Sequence, residues 1–366
     1  MCDREARCNL TAAHLPCSKI CDQLQYLSGK HESVLDAFLR FGEGHVVHTS
    51  NPADIAAAFN DTSTQFWLDI SEPADADYAL LSDIFGFHPL VIEDVVHEIQ
   101  RPKLESYAMI GDKLKTEYFF LVIHGPEIDP APDCLFQTSE LDAIFSERYL
   151  VTIHEAPLAS LKEMFSRVHT DPEARLKWGI DVLLYELIDR LIDRYAPILD
   201  EFQDTIDNLE EEATENPPPE FALQISSRKK DLLNLRRIMT QQRDIIGQLT
   251  RGEVPFLGTQ ARIYFRDVLD HLNREVETID IYRDLLLGCR DIYMSSINNR
   301  LSRIMKTLAV ISVVTLPLTV ITSFFGMNFA DTIPGFTKPL TFALAILLMI
   351  GLPVVFLYLF RKYDWL

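Results

Sequence analysis

Residues 307–330 read TLAVISVVTLPLTVITSFFGMNFA and residues 339–360 read PLTFALAILLMIGLPVVFLYLF, runs of 24 and 22 positions without one charged side chain. A hydrocarbon core about 30 Å thick is crossed by about 20 apolar residues in helical form, so each run is long enough to span a bilayer. The buried helix of a soluble core is normally shorter and carries polar residues on every turn. The expectation is a membrane hairpin, with transmembrane helices at about 307–326 and 339–360 joined by a loop over 329–338. Arg300, Arg303 and Lys306 precede the first run, and Arg361 and Lys362 follow the second, whereas the connection holds only Asp331 and Lys338 as charged groups. By the bias of basic residues toward the cytoplasmic side, both chain ends are cytoplasmic, including the tail 361–366, and the loop lies outside. Tyr358, Tyr363 and Trp365 stand where an interfacial aromatic belt would lie.

Outward from that hairpin, Ser312, Thr315, Thr319 and Thr322 follow one another at steps of three, four and three. They therefore share one helix face, which ends near Gly326. Such small polar residues commonly glue helices together in lipid. The same face would suit a wet axis, but two helices cannot enclose one, so that reading requires several copies of the chain.

The remaining 300 or so residues are acidic. The whole chain has 366 residues, 34 Lys and Arg against 54 Asp and Glu, and a formal charge of -20. No basic excess is available to replace the counterions of DNA or RNA, so a nucleic acid is excluded as a general partner and cations are favoured. The six cysteines, Cys2, Cys8, Cys17, Cys21, Cys134 and Cys289, lack the paired C-x2-C spacing of a zinc site, and reduced thiols are the default. The first twenty residues contain no apolar core of a secretory signal.

Strand-like runs at 43–49, 64–70, 117–124 and 141–154, with helical spacing in DADYALLSDIFG and VIEDVVHEI, predict a cytoplasmic α/β domain over 1–165. A helical hairpin over 166–257 follows, broken at Pro217-Pro218-Pro219. A stalk helix then runs over 258–328 into the first membrane span, about 65 residues at 1.5 Å each, or roughly 100 Å. GxxxxGK[ST], HExxH and GxSxG are all absent from the sequence, so nothing points to an enzyme.

Phe325-Gly326-Met327-Asn328-Phe329, directly after one membrane run and shortly before another, resembles the YGMNF signature of the CorA family of divalent-cation channels. HPLVIEDVVHEIQRPKLE (88–105) resembles that family's HPL-x-x-ED-x-x-x-x-x-QRPK-x-E block, PFLGTQARIYFRDVLDHL resembles its stalk, and the Trp-Leu ending resembles its tail. The likeness runs from about Trp67 to Leu366. It implies a homopentameric funnel in the cytoplasmic membrane, passing Mg2+ with Co2+ or Ni2+ as companions. Gly326, Met327 and Asn328 would form the selectivity filter. Ser302, Met305, Ala309, Ser312, Leu316, Thr319 and Ser323 would line the pore. Asp94 and Asp267 would meet between subunits on a regulatory divalent ion. Chemically, an amide such as that of Asn328 suits a hydrated Mg2+, whose water is held tightly and can be hydrogen-bonded without being stripped.

The outer loop departs from the family's MPEL form and reads Ala330-Asp331-Thr332-Ile333-Pro334-Gly335, leaving Asp331 to supply charge at the outer mouth. Its Ile-Pro-Gly ending looks more like the zinc-transporting ZntB branch, which keeps Zn2+ as an alternative cargo. Asp364 also stands in a tail where cations are frequent. A membrane-anchored metal sensor or scaffold is the competing reading from another class.

Overall fold

The computed structural model describes residues 33–363, apart from 43, 98–100, 109–116, 128–135, 178, 216 and 327–338. The N-terminal cysteines, Cys134, Met327, Asn328, Asp331 and Asp364 fall outside the described residues. The fold is an α/β domain followed by long helices and a C-terminal apolar helix. The elements in order are β1 (Val34–Phe41), β2 (His45–Thr49), α1 (Pro52–Asn60), β3 (Gln65–Ser71), α2 (Asp75–Ala79) with a π-helical turn at Leu80–Ile84, α3 (Pro89–Val96), β4 (Lys103–Ala108), β5 (Glu117–Pro126), β6 (Thr138–Phe145) and β7 (Tyr149–His154). Then come α4 (Ala159–Thr170), α5 (Pro172–Leu176), α6 (Ile180–Asp193), α7 (Ala196–Glu215), α8 (Phe221–Arg251), α9 (Thr259–Phe325) and α10 (Pro339–Lys362).

The strands form one sheet in the order β2-β1-β3-β7-β6-β5-β4, antiparallel except for the parallel pair β3 and β7. Alternation sends Phe66, Leu68 and Ile70 of β3 with Tyr118, Phe120 and Val122 of β5 to one face, where they pack with Ile55 and Phe59 of α1 and Val91 of α3. The opposite face is also covered: Trp67 stacks on Phe165 of α4 at 4.3 Å, and Gly125 of β5 lies so close to α6 that an added Cβ would come 3.0 Å from Leu191. Two covered faces explain why β5 and β7 read as continuous apolar runs.

The part of the expected helical hairpin before its proline break is itself divided into α6 and α7. Tyr195 closes a tight turn onto the Ile192 carbonyl at 2.9 Å, and its buried hydroxyl donates to the His124 carbonyl at 2.9 Å. Pro197, which has no N–H to give, then sits in the first turn of α7.

The described parts of Met1–Asp204 and Arg228–Arg283 form one compact unit, and those of Thr205–Ser227 and Asp284–Leu366 form another. The first contains the sheet and its covering helices. In the second, Leu209, Ala213, Phe221, Ile225, Leu286 and Cys289 are buried, and Phe221 meets Tyr293 ring to ring at 4.9 Å. Beyond Arg300 the second unit buries almost nothing: of its apolar residues there, Val310 and Ala345 are the buried ones among those described. The two apolar stretches reach mean hydropathies of 2.1 and 2.7.

Candidate functional site

The apolar part of α9 is where the pattern of side chains is most regular. Ser302, Met305, Ala309, Ser312, Leu316, Thr319 and Ser323 succeed one another at alternating steps of three and four, and all are exposed on the single chain. That period of 3.5 is the one at which helices keep a single seam facing a common axis. Met305 and Leu316 are 63% and 65% exposed, so the two bulkiest members of the seam stand fully out from the helix.

Pro317 lies inside α9 without ending it. It cannot donate to the carbonyl four residues earlier, and hydroxyls nearby bond to other carbonyls of the same helix: Thr315 Oγ1 donates to Ile311 O at 2.8 Å, Thr319 Oγ1 to Thr315 O at 2.9 Å and Thr322 Oγ1 to Leu318 O at 3.0 Å. The helix stops at Phe325, and Gly326 N–H closes the last turn on Thr322 O at 2.9 Å. A Cβ at Gly326 would stand 3.2 Å from that carbonyl, a tighter contact than most side chains make.

In the first unit, the HPL block is a helix start. Pro89 takes the first turn of α3, and the His88 ring accepts the Leu90 N–H through Nδ1 at 3.2 Å. His88 N–H in turn donates to the buried Tyr118 hydroxyl at 2.7 Å, which fixes α3 to β5. Val91 and Val95, one turn apart, face the core. Asp94 is consequently held at the outer side of α3, where Lys103 Nζ of β4 reaches its Oδ2 at 2.5 Å. Lys103 also lies 3.5 Å from Glu105 and over the Phe120 ring at 5.3 Å. Burial pulls its pKa down, but the bonds and charges of Asp94 and Glu105 outweigh that and raise it.

The same row of the sheet places Val122 opposite both Lys103 and Asp142. Asp142 is 5% exposed, and burial together with the Glu140 carboxylate pushes its pKa far above the ordinary carboxylate range. Sequence reasoning missed Lys103 and Asp142. Lys103 stands inside the quoted QRPK-x-E stretch, but nothing in a nine-residue separation says that it comes back to Asp94.

Asp267 projects from α9 with its side chain mostly exposed, 3.9 Å from His271 Nε2; His271 Nδ1 is 3.7 Å from Asp193 of α6. Tyr185 of α6 stacks on Tyr264 at 4.9 Å, and its hydroxyl is pushed up to about 12 by burial and then by Asp189, Asp267 and Asp193. Glu275, one turn beyond His271, is pushed up to about 8 by burial and by Asp193. Burial is the larger cause of both shifts, and Arg274 works against that of Glu275. Within one chain Asp94 and Asp267 are not joined by a hydrogen bond or ion pair among the described residues, and no three described His, Cys, Asp or Glu side chains converge as a metal-binding group.

The sequence profile described as CorA-like Mg2+ transporter protein matches residues 63–362. The cobalt/magnesium transport protein CorA of Thermotoga maritima is 30% identical over 309 residues, covering 84% of this chain and 85% of that protein. The zinc transport protein ZntB of Yersinia enterocolitica is 25% identical over 353 residues, covering 94% of this chain and all of that one. Among solved structures, the complete CorA magnesium transporter of Methanocaldococcus jannaschii superimposes with a TM-score of 0.76 at 22% identity, over 91% of this chain and 99% of that one, which establishes the shared fold. With a match across most of its length and a fold to agree with it, the chain belongs to the CorA family.

Proposed function

We propose that the chain assembles as a homopentamer in the cytoplasmic membrane, both ends in the cytosol, and conducts hydrated divalent cations passively inward. Mg2+ is the principal cargo, with Co2+ and Ni2+ as companions. The observation that carries this reading is the seam Ser302, Met305, Ala309, Ser312, Leu316, Thr319 and Ser323: an anchor needs no such face, whereas several copies turned inward make a path lined by both hydroxyls and apolar collars. At its outer end Gly326, Met327 and Asn328 form the filter, the amides of Asn328 hydrogen-bonding the water around the ion, and Asp331 attracts cations at the mouth. Met305 and Leu316 are the constrictions that close by dewetting. A divalent ion moving inward gains about 4.6 kcal/mol per 100 mV, twice the value for a unit charge, so the membrane potential alone drives import.

Closure is set by divalent ions held between Asp94 of one copy and Asp267 of the next. Facing carboxylates repel unless a hard cation bridges them, so cytosolic Mg2+ locks neighbouring copies and its loss frees them. Asp267→Ala is expected to shift inhibition by internal Mg2+ to higher concentration; an unchanged inhibition curve would remove Asp267 from this role.

Zn2+ is the second reading, favoured by the Ile-Pro-Gly loop ending and by the full-length match to a zinc transport protein. The experiment is uptake of Mg2+, Co2+, Ni2+ and Zn2+ measured in parallel in proteoliposomes, negative inside, with a pH gradient imposed or removed. Mg2+ uptake that follows the potential and ignores the pH gradient supports the passive channel. Zn2+ uptake that requires the pH gradient supports the second reading, and no uptake of any ion leaves the anchored sensor.

A further inference from the structure

Away from the membrane part and from Asp94 and Asp267, one end of the sheet opens into a cleft of about 420 Å³. Arg40 at the end of β1, Gly42 in the following turn, Thr62 and Ser63 before β3, and Arg148 at the start of β7 surround it. Both arginines line the cleft, and neither forms an ion pair with a carboxylate among the described residues; Arg148 Nη2 also donates to Phe59 O at 3.4 Å. Arg40 Nη1 donates to Gln65 Oε1 at 3.0 Å and to Leu176 O at 3.1 Å, and Arg148 Nη1 donates to Asp61 O at 2.8 Å. All of these acceptors are neutral.

The neighbouring carboxylate of Asp61 is engaged locally. Its oxygens accept from Thr64 Oγ1 at 2.6 Å, Ser63 Oγ at 2.8 Å and Ser63 N–H at 3.0 Å, and those bonds, that of Thr64 foremost, lower its pKa. Arg40 Nε is buried and has no hydrogen-bond partner. A buried charged donor without an acceptor is costly, so Arg40 gains from any further acceptor brought to its guanidinium. In a chain of charge -20, this cleft is lined by two guanidiniums against the single carboxylate of Glu147, with the Asp61 carboxylate close enough to feel the charge of Arg148.

We propose that this cleft binds the phosphate group of a small soluble phosphate monoester. The guanidinium fork matches phosphate geometry, and the volume lies in the range of small-molecule pockets. Glu147, exposed at the rim, repels a second phosphate and leaves the uncharged or cationic part of the ligand to face it. Gly42 guards the entrance: its φ is +54, a conformation that Asp and Asn tolerate, and a Cβ there meets nothing within 4 Å.

The test uses the full-length protein in detergent, free of divalent ions and at constant ionic strength held with chloride. Binding of inorganic phosphate and of AMP is read from 31P line broadening and from the thermal unfolding midpoint. Both probes are expected to saturate, AMP at lower concentration. Gly42→Asp, which puts a carboxylate at the mouth without touching either arginine, is expected to weaken binding at least tenfold, while Gly42→Asn, of the same shape, binds as the native chain does. Arg148→Gln gives an independent reading with the same tenfold loss. Absence of saturable binding by the native protein, or native affinity in Gly42→Asp, overturns the proposal.

Discussion

His154 has both ring nitrogens turned toward oxygen acceptors: Nδ1 is 2.8 Å from Ala156 O and Nε2 is 3.2 Å from Asp69 Oδ2. A neutral imidazole can donate from only one nitrogen, so the arrangement is satisfied by the imidazolium paired with Asp69. Burial alone would lower its pKa, but the hydrogen bond and charge of Asp69 raise it above the ordinary 6.5. The stability this contributes is complete below 6.5 and is lost as pH rises through the elevated folded value. Unfolding followed through the buried Trp67, whose Nε1 bonds the neighbouring Thr152 Oγ1 at 3.0 Å, should show a midpoint that falls with alkalinisation, and His154→Gln should remove that slope. A slope that persists in the variant would assign it elsewhere. Asn328→Leu should abolish Mg2+ uptake while leaving assembly intact, since an aliphatic collar offers nothing to the water around the ion; retained uptake would move the filter. At this scale the sequence was readable where chemistry is local, as in His88 and Pro89 starting α3, and silent where it is not. The partners of Asp69 and Asp94 come from other strands, and no spacing encodes them.

Long elements declare themselves because many residues repeat one period, as α8, α9 and α10 do over 31, 67 and 24 residues. The strands β1 and β4 were missed for opposite reasons. In β1 the run Ala37-Phe38-Leu39 is buried on both faces and shows no alternation. In β4 the sequence KLESYA is an edge strand, half exposed and charged, as edges must be to avoid pairing with other chains. The seam of α9 was named from the family resemblance, helix geometry only allowing it one face, and it yields a prediction of its own kind. Met305→Ser, which replaces an apolar collar by hydroxyls, should keep the path wet, and uptake should continue at internal Mg2+ concentrations that close the native protein. Closure at the native concentration would place the barrier at Leu316 or beyond.

For the molecule as a whole, the fold class was readable because the two uncharged runs and the acidic remainder differ so sharply in composition, while the sheet order could not be, since it depends on pairings between strands 80 or so residues apart, such as β3 with β7. The predicted assembly adds a final test in which the Lys103 ammonium is removed. Lys103→Met should move inhibition by internal Mg2+ to lower concentration, at least severalfold, and an unmoved curve would detach Asp94 from regulation. The reason lies in the 2.5 Å bridge between them. If a divalent ion is held at Asp94 as proposed, each arriving ion would first have to evict a tethered rival. The lysine would then act as a built-in reference weight, so that the complex would answer to an abundant cytosolic ion by its surplus and ignore traces of it.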